Sequence, residues 1–203
     1  MSAAERDKWD ARYRDGAYES RTHATALLAD WLPRLPLGAT LDVACGAGRN
    51  ALHLAAHGFA VTALDISAVG LERARRTAAS RGVHVDWLCA DLDGDPDEVL
   101  PAGPFELIVW VRYIHRALMP HVLARLAAGG VLLCEQHLTT TADVAGPGPA
   151  FRLAPGELAR STSPASGTSK GRGLEVLHDY EGLLTDPDGR TVAVAQLVGA
   201  RRA

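Results

Sequence analysis

The chain of 203 residues is 47% hydrophobic and 22% charged, a composition typical of one globular domain with a substantial core. Its 21 basic and 24 acidic residues nearly balance, so no general attraction to nucleic acid or anionic lipid is expected. We therefore expect neither a nucleic-acid partner nor a membrane partner. Lys8 and Lys170 are the only lysines, which disfavours Schiff-base chemistry.

The N-terminal stretch MSAAERDKWDARYRDG is charged from Glu5 onward and lacks the apolar centre of a signal peptide. No apolar run approaches the roughly 20 residues that a membrane-spanning helix needs. Cys45, Cys89 and Cys134 lie far apart, which fits neither a disulfide framework nor a paired metal site. These features predict a cytoplasmic protein with reduced thiols.

Apolar runs and helical segments alternate along the first two thirds of the chain. The apolar runs lack period-two alternation, as strands buried on both faces of a parallel sheet do, and they lie at 41–44, 59–64, 83–89, 105–111 and 130–134. Helical periodicity, closed each time by glycine, marks 48–58, 67–82 and 116–130. This order predicts a doubly wound α/β fold.

The pattern changes after residue 136. The segment APGELAR (154–160) could begin a short helix, and the small residues of 161–173 predict poor order. Apolar runs at 174–182 and 191–200 flank a Pro-Asp-Gly turn and predict an antiparallel hairpin at the sheet edge. We expect a single domain with four parts: an N-terminal helical lid (1–35), a cofactor-binding core (36–136), a loop-rich substrate-side region (137–173) and a C-terminal β-hairpin (174–203).

A glycine-rich turn follows the first apolar run in LDVACGAGRNA (41–51). Gly46 and Gly48 let backbone N–H groups approach a ligand, and the following helix offers its positive N-terminal end. Asp65 ends the second run, where a carboxylate can accept two hydrogen bonds from a ribose diol. Because ligands of open α/β sheets lie outside the carboxyl ends of the strands, the pattern indicates an adenosine-type cofactor.

The residues GAGRNA also fit the pattern of nicotinamide-binding domains. Three observations favour another cofactor. Asp42 would repel a pyrophosphate but suits the ammonium of a zwitterionic methionine tail. Asp91 can meet an adenine amine, with Leu92 beside the ring. Neither lysine has a tyrosine four residues before it, so the Tyr-x-x-x-Lys pair of one large dehydrogenase class is absent.

The chain resembles the class I S-adenosylmethionine-dependent methyltransferases, in particular a small bacterial branch akin to tellurite-resistance and thiopurine methyltransferases. The resemblance rests on residues 41–67, on WLCADLD (87–93) and on residues 106–137, and both ends of the chain fit the same branch. It implies a Rossmann-like seven-stranded sheet in the order 3-2-1-4-5-7-6 with the last strand antiparallel. It also implies an enzyme (EC 2.1.1.-) that transfers a methyl group from S-adenosyl-L-methionine.

Carried over residue by residue, the resemblance assigns the glycine turn to the methionine moiety, the ends of the second and third strands to ribose and adenine, and the end of the fourth strand to the floor near the methyl group. The expected cofactor-binding residues are Trp9, Tyr13, Asp42, Ala44, Cys45, Gly46, Gly48, Asn50, Asp65, Ile66, Asp91, Leu92 and Val111. Ala44 stands where many relatives have glycine. Segment 161–173 falls where a regular last crossover helix is expected.

The segment VRYIHR (111–116) faces the cofactor sulfur in this fold, so Arg112, Tyr113 and His115 are the catalytic candidates. His115 is a candidate base, and Tyr113 an orienting group or cation stabiliser. Each has a structural alternative, namely a surface ion pair for Arg112, core packing for Tyr113 and a backbone-bonded helix start for His115. Trp9 and Tyr13 lie on one helical face and either cover the cofactor or anchor the first helix.

Three further motifs have possible functional roles. Arg21, in SRTHA, resembles a cofactor-end motif of the tellurite branch. Cys45 beside a helix N-terminus is either a thiol of lowered pKa or a small buried thiol. His53 and His57 have metal-ligand spacing but no third ligand, so we expect no metal.

The expected activity is methyl transfer to a small-molecule acceptor, with a thiol or chalcogen oxyanion as the favoured chemistry because such a nucleophile needs no base. The alternatives are an O-methyltransferase that uses His115 as base and a non-catalytic nucleotide-binding module. A monomer and a homodimer are both compatible with the sequence.

Overall fold

The computed structural model describes residues 3–163 and 173–202. Its strands form one seven-stranded sheet in the order β3-β2-β1-β4-β5-β7-β6. They are β1 (Ala39–Val43), β2 (Ala60–Asp65), β3 (Asp86–Cys89), β4 (Phe105–Val111), β5 (Leu126–His137), β6 (Leu174–Thr185) and β7 (Thr191–Arg201). Because β7 runs antiparallel to both of its neighbours, the expected fold class and strand order are confirmed.

Helices cover both faces of this sheet. They are α1 (Ala3–Arg14), α2 (Ala26–Trp31), α3 (Arg49–Ala56), α4 (Ala68–Arg81), α5 (Pro96–Val99), α6 (Met119–Ala124) and α7 (Glu157–Thr162). Leu28 of α2 and Leu54 of α3 pack in one apolar cluster with Val109. The opposite cluster joins α6 and α7 to Ile108. None of the helices within the described ranges has both the length and the apolar character that a bilayer crossing requires.

The helix next to the cofactor region, α4, begins and ends where the sequence predicts. Ser67 is its N-cap, and the Ser67 hydroxyl accepts a hydrogen bond from the Gly70 N–H at 3.0 Å. Gly82 ends the helix in the left-handed conformation, with φ +65°. The start of α4 is thereby fixed immediately after the end of β2.

The prediction of a helix over 116–130 is wrong in its second half. The α-helix spans only Met119–Ala124, and β5 begins at Leu126. Leu126 pairs with Phe105 of β4, and an irregularity in the register follows before Val131 pairs with Leu107. The alanine-rich residues fit a helix locally, but pairing with β4 decides their conformation.

The C-terminal region follows the sequence interpretation in part. β6 and β7 form the expected antiparallel hairpin, although β7 lies inside the sheet and only β6 is at the edge. The short helix expected near 154–160 is α7. Of the segment 161–173, for which poor order was expected, residues 161 and 162 belong to α7, and 164–172 lie outside the described residues.

Candidate cofactor and active site

A cleft of about 710 Å³ opens at the carboxyl ends of the central strands. It brings together most of the residues that the sequence singles out. Those in its lining are Trp9, Tyr13, Asp42, Ala44, Cys45, Gly46, Asn50, Asp65, Ile66, Leu92, Val111, Arg112, Tyr113 and His115. Of the expected set, Gly48 and Asp91 lie outside this lining.

The glycine turn is held by Asp65. The Gly46 N–H donates to Asp65 Oδ2 at 2.8 Å, and the Ser67 N–H donates to Oδ1 at 2.9 Å. Burial raises the pKa of Asp65, although these two backbone hydrogen bonds act in the opposite direction. Asp65 therefore joins the turn after β1 to the start of α4, in addition to its expected contact with ribose.

Ala44 and Gly48 show what this turn demands of the backbone. Ala44 adopts the left-handed conformation with φ +55°, at the position where the resemblance places glycine in many relatives. Gly48 has φ +78°, and a Cβ there would lie 2.5 Å from the Trp87 ring. Gly48 thus serves close packing beneath the turn, since its Cβ position faces Trp87.

Asp42 is a buried carboxylate at the base of the cleft. Its Oδ2 atom has no hydrogen-bond partner among residues 3–163 and 173–202. Burial raises the pKa of Asp42 to about 7, while the nearby Arg49 acts to lower it. A buried oxygen without a partner is uncommon in folded proteins, so this atom is suited to a cationic group of a ligand.

Cys45 is a protonated thiol. Burial and the carboxylates of Asp42 and Asp65 raise its pKa well above the usual value. The thiol lies 3.7 Å from the Gly46 carbonyl oxygen, which can accept its hydrogen bond. Burial, and after it the neighbouring negative charge, opposes the lowering of the pKa that a helix N-terminus favours, so the structure favours the alternative of a small buried thiol.

The first helix is docked on the start of α4. Asp10 Oδ1 accepts hydrogen bonds from the Ser67 hydroxyl at 2.6 Å and from the Val69 N–H at 3.2 Å. Arg73 of α4 donates to the Tyr13 carbonyl oxygen at 3.1 Å.

The aromatic face of α1 lies over the glycine turn. A Cβ on Gly46 would overlap the Tyr13 hydroxyl. The rings of Trp9, Tyr13 and Tyr18 cluster with centroids 6.1 to 6.5 Å apart. α1 is therefore anchored to α4 and also lies over the glycine turn, which are the two alternatives that the sequence left open. Its movement as a lid stays a prediction.

Arg112 is held by buried carboxylates. Its Nε donates to Glu135 Oε1 at 2.9 Å, and its two Nη atoms donate to Asp186 at 2.5 Å each. The backbone of Arg112 is left-handed, with φ +59°. Arg112 was expected to contact the substrate, with a surface ion pair as the alternative. The structure shows an ion pair that is buried, and every guanidinium nitrogen already has an acceptor. The geometry favours an anchoring role over direct contact with an acceptor molecule.

His115 also has both ring nitrogens engaged. Nδ1 accepts the Leu118 N–H at 3.1 Å, which assigns the proton to Nε2, and Nε2 lies 3.0 Å from Asp93 Oδ1. This is the backbone-bonded helix start that the sequence offered as the alternative to a base. Tyr113 lines the cleft beside it, and burial raises its pKa, so the phenol is protonated.

Two cleft residues were missed at the sequence level. His137, the last residue of β5, has an Nδ1 atom that is buried and has no hydrogen-bond partner in the described ranges. Burial and the arginines Arg112, Arg152 and Arg21 lower its pKa to about 4, so the ring is neutral. The other is Arg49, the first residue of α3. A cation at the N-terminus of a helix is unfavourable because the helix dipole is positive there. The sequence alone shows this arginine just after the glycine turn, so it could have been noticed.

His53 and His57, the pair with metal-ligand spacing, contact each other. His57 Nδ1 lies 2.8 Å from the His53 carbonyl oxygen at the end of α3, and the two rings are 4.5 Å apart. In the part of the chain that the structure describes, no group of three or more His, Cys, Asp or Glu side chains could hold a metal ion.

Comparison with known proteins identifies the region around the cleft. Residues 40–130 match the family model described as a methyltransferase domain. They contain β1 to β4 and the glycine turn, which make up the cofactor-binding part of the class I methyltransferase fold. S-adenosyl-L-methionine is the cofactor that this family and fold indicate. The cleft fits it in two respects, since Asp42 offers an unpartnered oxygen to an ammonium and Gly46 leaves the turn without a side chain.

Curated relatives extend the similarity over more of the chain. Nodulation protein S of Rhizobium tropici is 29% identical over 135 residues, which cover 63% of this chain and 53% of that protein. Ribosomal protein L11 methyltransferase of Symbiobacterium thermophilum is 34% identical over 125 residues, 59% of this chain and 40% of that protein. The chain thus spans about half of the length of these curated relatives.

Solved structures share the fold over nearly the whole chain. A protein studied for conversion of a disulfide bond into a thioacetal group during echinomycin biosynthesis has a TM-score of 0.71 at 22% identity, with 97% of this chain and 93% of that chain covered. TehB from Haemophilus influenzae has a TM-score of 0.67 at 21% identity, with coverages of 95% and 66%. At these identities the likeness concerns the fold.

Proposed function

We propose that the protein transfers a methyl group from S-adenosyl-L-methionine to a small-molecule thiol or chalcogen oxyanion. The observation that carries the proposal is the cleft of about 710 Å³ at the glycine turn of the methyltransferase domain. Its volume lies within the range of sites that enclose small molecules. When bound, the cofactor supplies an activated methyl group on its sulfonium.

The chain's own residues orient the reactants and exclude water. The Gly46 turn positions the methionine side and Asp65 the ribose side, while Ile66 and Leu92 supply apolar contacts beside the adenine. Trp9 and Tyr13 cover the cleft from α1. Holding a nucleophile in line with an activated methyl group can contribute several kcal/mol to the rate.

The preference for a soft anionic acceptor rests on the state of the candidate bases. His115 has both nitrogens engaged, and Tyr113 is protonated. His137 has a pKa of about 4, which makes it a weak base. A thiolate or an oxyanion arrives already deprotonated and needs none of these groups.

A second candidate is methylation of a hydroxyl group. The observation that favours it is the unpartnered Nδ1 of His137, which lies in a residue that lines the cleft. A neutral imidazole nitrogen can accept the hydrogen bond of a hydroxyl and orient the oxygen. In that case His137, and not the expected His115, is the histidine that acts on the acceptor.

Formation of S-adenosylhomocysteine measures both candidates directly. The protein is incubated with S-adenosylmethionine and, separately, 2-mercaptoethanol, tellurite and catechol. We expect turnover with the thiol or tellurite, and retention of that turnover in His115→Asn and His137→Asn. Turnover with catechol alone, abolished by His137→Asn, would replace the proposal with the second candidate. Tight cofactor binding without turnover of any acceptor would indicate a non-catalytic module.

A further inference from the structure

Exposed apolar side chains are concentrated on the edge strand β6. Four of the large apolar side chains that are exposed within the described ranges lie on this strand, each between 40% and 51% exposed: Val176, Leu177, Tyr180 and Leu183. Grouped exposure of this kind marks an interaction surface, whereas single exposed apolar residues are common. None of the residues 174–185 lines the cleft, so this surface is separate from the cofactor region.

The outer edge of β6 presents backbone hydrogen-bonding groups. Within the described part of the chain, β6 pairs with β7 alone. In an antiparallel pair, successive residues direct their N–H and C=O groups alternately toward the partner strand and away from it. The Asp186 N–H donates to the Arg190 carbonyl oxygen at 2.8 Å, and this bond sets the alternation along the hairpin. Asp179, Glu181 and Leu183 therefore direct their N–H and C=O groups away from β7, to the outer edge.

Little in β6 protects this edge from other chains. Native edge strands are commonly short, or carry lysine, proline or a bulge. β6 extends over Leu174–Thr185 and contains neither lysine nor proline. A register irregularity lies between Val176 and His178, and the pairing is regular from His178 to Thr185. A regular, exposed strand edge can accept an extended segment of another chain as an additional strand.

The side chains of β6 define the chemistry that such a segment needs. The strand carries three carboxylates, Glu175, Asp179 and Glu181, and no lysine or arginine. Successive side chains point to opposite faces of a sheet, so Asp179 and Glu181 share one face and Tyr180 lies on the other. Glu181 Oε1 accepts the Gly156 N–H at 2.7 Å, which holds its carboxylate on the α7 side of the sheet. A complementary strand has basic residues on that face and apolar residues on the other.

A second copy of the chain does not complement this edge. In antiparallel pairing about a two-fold axis, residues at equal distances on either side of the axis lie opposite each other. A register centred on Asp179 places this carboxylate opposite itself, and a register centred on Tyr180 places Asp179 opposite Glu181 of the second copy. These two registers overlap the strand most fully, and like charges directly opposite each other destabilise a strand pair. β6 thus favours a partner of opposite charge over self-association.

We propose that β6 docks an extended segment of another protein in which basic and apolar residues alternate. The segment adds to the sheet beyond β6, and its backbone pairs with the outward N–H and C=O groups of Asp179, Glu181 and Leu183. Its basic side chains lie beside the carboxylates on one face, and its apolar side chains cover Tyr180 on the other. Because the edge itself is acidic, its ligand is a cationic strand and not a nucleic acid or an anionic lipid.

Binding of a synthetic peptide tests the proposal. A fluorescein-labelled peptide of alternating lysine and valine, matched in length to β6, is titrated into the full chain and followed by fluorescence anisotropy. A peptide with the same lysines and valines in two blocks keeps the charge without the alternation, and a glutamate–valine peptide reverses the charge. We expect the alternating peptide to bind at least about tenfold more tightly than either control, because several cross-strand pairs contribute together.

Amide hydrogen exchange followed by NMR distinguishes strand addition from general charge attraction. The alternating peptide should slow exchange of the outward N–H groups of Asp179, Glu181 and Leu183. Exchange at Tyr180 and Gly182 should change little, since the alternation directs their N–H groups to β7. Binding without this pattern of protection would show that the peptide does not pair with the strand.

Two substitutions test the edge itself. Leu183→Pro removes an outward N–H without removing a bond to β7 and should weaken peptide binding up to about tenfold, whereas Leu183→Ala keeps that N–H and should weaken it less. Asp179→Lys turns an attraction into a repulsion and should weaken binding about 3- to 30-fold. Glu98→Lys on α5 makes the same change of charge away from β6 and should alter affinity less than about twofold.

The proposal is overturned if folded wild type binds the alternating and block peptides equally, or if Asp179→Lys binds the alternating peptide as tightly as wild type. Should Leu183→Pro fail to fold, Asp179→Lys alone decides. Sedimentation equilibrium of the chain without peptide examines the other occupant. A dimer in which the outward amides of β6 are protected would make a second copy the occupant and would also overturn the proposal. No cofactor is present in these measurements, so their outcome is independent of the proposed function.

Discussion

Arg112 and Asp186 form a bidentate ion pair between the end of β4 and the turn of the β6–β7 hairpin, with both Nη–Oδ distances at 2.5 Å. Both side chains are less than a tenth exposed. The pair ties the hairpin to the strand end that forms the floor of the cleft. Glu135 on β5 completes the arrangement and also accepts a hydrogen bond from Gln196 at 2.8 Å.

Breaking this pair should destabilise the protein. Asp186→Asn leaves the buried Arg112 charge with one carboxylate, and loss of a partner from a buried ion pair typically costs about 3 kcal/mol. Urea unfolding at neutral pH measures the change in the free energy of unfolding. Asp179→Asn on the exposed part of β6 should change it by less than about 0.5 kcal/mol. Equal changes in the free energy of unfolding for the two substitutions would show that the buried ion pair adds no stability beyond that of an exposed side chain.

The pH dependence of stability should contain a contribution from Asp42. Its folded pKa is about 7, whereas an unfolded aspartate titrates near 4. Between these values the folded protein holds a proton that the unfolded chain has lost, so the free energy of unfolding falls as pH rises. For one group the slope is at most about 1.4 kcal/mol per pH unit. Unfolding of wild type and Asp42→Asn from pH 4 to 7 should show a shallower decline in the variant, and parallel curves would refute this assignment.

Gly48 and Gly58 provide a matched pair of glycine substitutions. Both have a positive φ, +78° and +87° respectively, but only at Gly48 would a Cβ meet the Trp87 ring, at 2.5 Å. Gly58→Ala should cost about 1–2 kcal/mol for backbone strain alone. Gly48→Ala should cost about 1–3 kcal/mol more because of overpacking. Thermal unfolding of both variants gives the difference, and equal losses would exclude the packing role of Gly48.

Asp10 should control how tightly α1 covers the cleft. Asp10→Ala removes the acceptor for the Ser67 hydroxyl and the Val69 N–H, a loss of about 1–3 kcal/mol in the docking of α1. Trypsin should then cleave at Arg12 and Arg14 faster than in wild type. Asp7→Ala, an exposed position of the same helix, should leave the cleavage rate unchanged. Unchanged cleavage in Asp10→Ala would mean that other contacts hold α1.

The sequence reveals the parts of the fold that follow local rules. Strands of a parallel sheet are buried on both faces, so β1, β2 and β4 appear as apolar runs, and the Ser67 and Gly82 caps bound α4. The boundary between α6 and β5 could not be found in this way, because the pairing of Leu126 with Phe105 overrides a helical pattern.

The parts of the site that depend on distant contacts were also out of reach. Arg112 and Asp186 are 74 residues apart, and the contact between them requires the completed sheet. The same holds for His115, whose Nε2 partner, Asp93, belongs to the turn after β3. Periodicity and spacing report on neighbours along a helix or strand, not on which turns meet at the end of a sheet.

The position of β7 between β5 and β6 has a consequence for biosynthesis. The strand that pairs along β5 from Val131 to His137 is the last of the seven to leave the ribosome. Until it arrives, six strands have emerged, but the hydrogen-bonding edge of β5 is open and β6 has no partner strand. Open edges of this kind are sites of misassociation, so the interval before β7 emerges is when these strands have the greatest need of protection by chaperones.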